Sequence, residues 1–97
     1  MSERAQRRHL DDVQRRLMLA RESMRILEEQ VAVWNDSLEE ARIRSLVSET
    51  PQQQADYNEL LKHVTVANDE LLRRRADVAN LLRERDESLR RYTSKES

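Results

Sequence analysis

An unbroken seven-residue hydrophobic repeat constrains this chain more than any other feature. From residue 10 to residue 41, apolar or small side chains recur at alternating steps of three and four: Leu10, Val13, Leu17, Ala20, Met24, Leu27, Val31, Trp34, Leu38 and Ala41. With Leu10 at position a, the a positions read Leu, Leu, Met, Val, Leu and the d positions Val, Ala, Leu, Trp, Ala. A seam sustained over more than four heptads specifies a coiled-coil helix. The rest of the composition agrees. The 97 residues include no Gly, no Cys and no Phe, and 38% are charged while 3% are aromatic. Nothing supplies the turn chemistry that β-hairpins need, so an all-α fold in one domain is expected.

The same helix carries a second apolar row. Leu19, Ile26 and Val33 all fall at position c, beside Met18 and Ala32 at b. A plain two-stranded coil places charge there, so the row predicts a second packing surface that one partner helix cannot cover. The seam fades after Ala41, because the next a position is Ser45. Thr50, Pro51 and Gln53 then read as N-cap, N1 and N3 of a new helix. The Thr50 hydroxyl can accept from the Gln53 amide, the Gln53 side chain can return to the cap, and Pro51 tolerates the first turn. The expected boundaries are helix 3–46, turn 47–50, helix 51–92 and a disordered polar tail 93–97. Ser2 can cap the first helix, with no capping box because Ala5 follows three residues later.

The second helix is less regular. Tyr57, Leu60, Val64, Ala67, Leu71, Val78 and Leu81 suit a heptad, but that register puts Arg74, Arg85 and Ser88 in the seam. An eleven-residue reading instead links Leu60, Leu71 and Leu82, and Ala67, Val78 and Leu89, with Leu61, Leu72 and Ala79 widening the stripe. A short connection between two long helices predicts an antiparallel hairpin, with residue i facing roughly 97 − i. Two hairpins pairing into an elongated four-helix bundle would cover the c row and the extra leucines of the second helix. A homodimer is therefore expected.

No catalytic constellation is present. Without Cys, a Gly-rich loop or a nucleophile elbow, the chain has no recognisable catalytic nucleophile or phosphate cradle. His9 and His63 are the only histidines, each with a single carboxylate at helical spacing, Asp12 after His9 and Glu59 before His63, and one carboxylate beside one imidazole is not a metal site. No enzyme activity, cofactor or metal is expected. The longest apolar runs are far too short to cross a bilayer, and the Arg-rich start has no apolar core of a leader. The expected location is the cytoplasm, and export without a classical leader is also compatible with the sequence.

Eighteen basic and nineteen acidic residues leave a net charge of −1. Paired or tripled arginines at Arg7-Arg8, Arg15-Arg16, Arg73-Arg74-Arg75 and Arg90-Arg91 are interleaved with acids and lack stacking aromatics, which argues against nucleic acid as a partner. Charge is nevertheless uneven. Residues 26–66 hold eight acids against Arg42, Arg44 and Lys62, and the remainder holds fifteen bases against eleven acids. Such asymmetry can orient a partner or set the direction of dimer pairing. Trp34, at a d position, is a core filler unless the bundle leaves it partly uncovered, in which case it becomes a hot spot.

The primary expectation is a non-catalytic protein–protein interaction module, a scaffold, adaptor or assembly subunit that binds itself and an unidentified protein. Tyr92 with Glu96 four residues later is similar to the Tyr-x-x-x-Asp/Glu signal of the small, dimeric helical-hairpin substrates of type VII secretion. The chain departs from that family at the turn: Trp34 is followed by Asn35 and Asp36, lies inside the first helix, and no Gly follows. The resemblance implies an alternative role as a secreted hairpin substrate, and a nucleic-acid-binding helical module is a further alternative. The antiparallel arrangement has a direct check. Nitroxide labels at Arg21 and Asp77 should report a short separation within one chain, whereas one long continuous helix would hold them tens of ångströms apart.

Overall fold

The computed structural model describes residues 2–48 and 50–94. The fold is all-α, an antiparallel hairpin of helix α1 (Glu3–Ser48) and helix α2 (Pro51–Ser94). Both helices start where side chains can satisfy the first orphan amides. The Ala5 N–H donates to Ser2 Oγ at 3.2 Å, and the Gln6 N–H to the Ser2 carbonyl at 3.0 Å. The Gln53 N–H donates to Thr50 Oγ1 at 3.2 Å, and the Gln54 N–H to the Thr50 carbonyl at 3.1 Å.

The reciprocal half of the expected capping box is not formed. Gln53 Oε1 is buried without a hydrogen-bond partner, because Gln53 opens the seam of α2 and its side chain is drawn toward α1. The helices also run past their expected ends. Val47 and Ser48 belong to α1, and Thr93 and Ser94 belong to α2, where Thr93 Oγ1 bonds back to the Leu89 carbonyl at 2.9 Å. The remaining tail, 95–97, and Glu49 of the expected turn lie outside the described residues.

Every expected a and d residue of α1 is buried or half-buried, and the series continues to Ser45. On α2 Gln53, Tyr57, Leu60, Val64, Ala67, Leu71, Arg74, Val78, Leu81, Arg85, Ser88 and Tyr92 are buried or half-buried, alternating in steps of four and three without a break, and Asn68, Glu70, Ala79, Leu82 and Glu84 beside them are half-buried too. The heptad therefore governs α2 as well. Of the eleven-residue set, Leu60, Leu71, Leu82, Ala67 and Val78 are covered as well, but Leu89 is exposed at 37%, as are Leu61 and Leu72 of the widened stripe. The cause lies in the partner: α1 holds a strict heptad, and an eleven-residue stripe would drift off that seam.

Polar seam residues are accommodated individually. Arg74 lays its stem in the seam and donates from Nη1 to the Ser23 carbonyl at 3.1 Å. Ser45 Oγ donates to Gln54 Oε1 at 3.1 Å.

Two compact units divide the hairpin. The open-end unit joins Met1–Met24 with Arg74–Ser97 and is centred on Val13, Leu17, Val78 and Ser88. Across it, Arg16 Nη2 meets Glu84 Oε1 at 3.0 Å. The turn unit, Arg25–Arg73, is centred on Leu27, Val31, Val64, Ala67 and Leu71. There Asn68 Nδ2 donates to Asn35 Oδ1 at 3.2 Å, and the Trp34 and His63 rings meet edge-on with centroids 5.2 Å apart. The Trp34–His63 and Ser23–Arg74 pairs both obey the 97 − i relation.

Adjacent leucines separate the heptad seam from the wider stripe that Leu72 would join. Leu71 is buried and Leu72 is exposed. Leu71→Ala should cost about 2–5 kcal/mol in urea unfolding, and Leu72→Ala less than about 0.5 kcal/mol. Equal losses would contradict the heptad on α2.

Candidate interaction surface

Because α1 spends its a and d positions on α2, residues at c stand clear of the seam. Leu19 is 63% exposed in the open-end unit, and Ile26 and Val33 are 45% and 62% exposed in the turn unit. In the turn unit, Ile26, Glu29, Gln30, Val33 and Trp34 line a shallow notch of about 430 Å³. Trp34 is half-buried: its ring packs on His63 while part of it borders the notch. Apolar carbon therefore faces solvent here although the seam is filled.

The pairing of the helices decides which exposed residues share a side. With Tyr57, Val64 and Leu71 at a, Asn68 falls at e, and its bond to Asn35, also at e, places the e edges together. In an antiparallel pair the g edges then adjoin on the opposite side, with c beyond g and b beyond e. Ile26 and Val33, at c, share their side with Val66 of α2, which is also exposed. Leu61 at e and Leu72 at b lie on the other side, with Leu46. The expectation that one covering hairpin would bury both the c row and the extra leucines of α2 is therefore corrected. The two sets face opposite ways.

Ile43, Leu46 and Val47 form a further exposed group that sequence reasoning passed over. Their spacing of three and four was visible, but the segment had been assigned to the fading end of the helix and the turn. The expected cap residues Thr50, Pro51 and Gln53 serve the start of α2 and do not adjoin the Ile26–Val33 notch. Tyr92 is half-buried at the last seam position of α2, and Glu96 lies outside the described residues.

Ion pairs decorate both units. In the turn unit Arg25 pairs with Glu29 at 2.9 Å, Arg42 with Glu39 at 2.6 Å and Arg73 with Glu70 at 2.7 Å. In the open-end unit Asp12 takes Arg15 at 2.8 Å and Arg16 at 3.1 Å. His9 lies 3.8 Å from Glu84, so the two histidines fall in different units. Among the described residues no group of three or more His, Asp and Glu is placed to hold a metal, and no helix is long and apolar enough to cross a membrane. Comparison with known protein families, with curated protein sequences and with solved structures finds no match.

The paired carboxylates carry a pH signature. The hydrogen bond from Arg15 is the main cause holding the Asp12 carboxyl below its ordinary value of 3.8, and that from Arg42 holds Glu39 below 4.5. A depressed carboxylate adds stability above its unfolded-state value, and that contribution is lost as pH falls through the lower folded value. Both pairs are solvent-exposed, so the stabilisation is small. Carboxyl-carbon NMR titration should find Asp12 and Glu39 titrating below their ordinary values, and Arg15→Ala should move the Asp12 midpoint upward. An unmoved midpoint would mean that the pair does not persist in solution.

Proposed function

We propose that this chain is a non-catalytic protein–protein interaction module of the cytoplasm, which self-associates hairpin against hairpin through the c row of α1. The observation that carries this reading is the contrast between a covered seam and an uncovered row. The a and d residues are satisfied inside the hairpin, whereas Leu19, Ile26 and Val33 remain 63%, 45% and 62% exposed at regular seven-residue spacing. Folding the hairpin does not require those apolar side chains, so a second packing event accounts for them. Pairing of two hairpins gives a four-helix bundle, in which Trp34, at the rim of the notch, is the hot spot. A scaffold, adaptor or assembly subunit uses a surface of this kind.

Changing Ile26 and Val33 to Glu tests the reading. Burying an unpaired carboxylate costs several kcal/mol, and two per chain outweigh a typical dimer interface. Wild-type protein should sediment as a dimer. The double variant should sediment as a monomer that keeps its helicity, since the seam is untouched, and should melt at a lower temperature. A wild type that stays monomeric at high concentration would remove the reading.

A further inference from the structure

Building on that self-association, we infer that two copies dock antiparallel, the acidic turn unit of one against the basic open-end unit of the other. The turn unit, Arg25–Arg73, holds ten acids and five bases, a net of −5. The open-end unit holds thirteen bases and nine acids, a net of +4. The imbalance survives the internal pairing. In the turn unit Asp36, Glu40, Asp56, Glu59 and Asp69 have no ion-pair partner among the described residues, against Arg44 and Lys62 of opposite sign. In the open-end unit Arg4, Arg7, Arg8, Arg21, Arg83 and Arg90 have none, against Glu3, Asp11 and Asp77. What each unit leaves unpaired is what the other can supply.

The apolar residues are distributed to match. The turn unit offers Ile26 and Val33 at the notch, with Asp36 one helical turn beyond Val33. The open-end unit offers exposed Leu19 at c on the same side, with exposed Arg8 of α1 and Arg83 of α2 at the neighbouring f positions. Parallel docking would set −5 against −5 and +4 against +4. Antiparallel docking sets each acidic unit on a basic one. Charges further apart than about 8–10 Å are screened at physiological salt, so only those flanking the contact discriminate between the two orientations. Apolar burial supplies affinity, and charge sets direction. A second copy fits as the occupant because one chain carries both complementary halves.

A nitroxide at Gln52, beside the turn, reads the orientation. Antiparallel copies should hold the two labels more than about 50 Å apart, and parallel copies less than about 25 Å. Charge exchange reads the cause. Asp36→Lys with Glu40→Lys should weaken self-association roughly tenfold at low salt, as should Arg8→Glu with Arg83→Glu. Mixing these two variants should restore association to within about threefold of wild type, because the reversed units then complement each other. All four side chains are exposed, and circular dichroism confirms that the variants remain helical before they are compared. A monomeric wild type would overturn both this inference and the reading beneath it. A dimer with close Gln52 labels, or with affinity indifferent to the charge variants, would overturn the antiparallel docking and leave self-association standing.

Discussion

The structure depends on the packing of one heptad seam against another. Each fully buried seam side chain is worth about 1.5–3 kcal/mol relative to exposure, and every buried apolar residue among those described belongs to the seam. Many of the seam residues are small or β-branched: Val13, Ala20, Val31 and Ala41 on α1, and Val64, Ala67 and Val78 on α2. Among them sit polar groups that the seam must accommodate. Ser45 finds Gln54 and Arg74 finds the Ser23 carbonyl, so the helices stay paired through these layers. Gln6 and Gln53 are less well served, each burying an amide oxygen without a partner close to the start of its helix. An unmet buried acceptor costs about 1–3 kcal/mol. Both costs fall near helix ends, where neighbouring backbone yields most readily.

How much could be read from the amino acids varies by element, for physical reasons. The α1 seam was legible because it has no competing period. The α2 seam was ambiguous because Leu60, Leu71 and Leu82 satisfy an eleven-residue spacing as well as Leu60, Val64 and Leu71 satisfy a heptad. Only the presence of α1 as a heptad partner decides between them, and that information is not local to α2. Thr50 was legible as a cap since the hydroxyl-to-amide bond is a local geometry. Gln53 was misread because its amide was claimed by both the cap and the seam, and the seam won.

The c row was legible as an apolar stripe, but its relation to Leu61 and Leu72 was not. Which residues share a side depends on how the two helices pair, and the Asn35–Asn68 contact fixes that only in three dimensions. Charge behaves similarly. The segregation of acids toward the turn is plain in the sequence, yet which arginines are consumed inside a unit follows from rotamers and neighbours. The ion pairs within each unit sharpen a rough compositional gradient into two sets of unmatched charges. Apolar exposure and unmatched charge are independent properties, and both point outward from the hairpin to another surface.

The single short connection also gives the fold a direction in time. Contacts across the hairpin close loops of steadily increasing length, from nine residues at Ser45–Gln54 through 33 at Asn35–Asn68 and 51 at Ser23–Arg74 to 68 at Arg16–Glu84. Closing the last of these from an open chain costs about 2 kcal/mol more in entropy than closing the first. The cheapest route is a zipper that starts beside the Thr50 cap and advances one heptad at a time, each layer shortening the loop that the next must close. Covalent linkage thus does more than hold the arms together. A seven-residue repeat slid by one heptad is nearly its own image, and it is the short connection between α1 and α2 that tells the arms which image to choose.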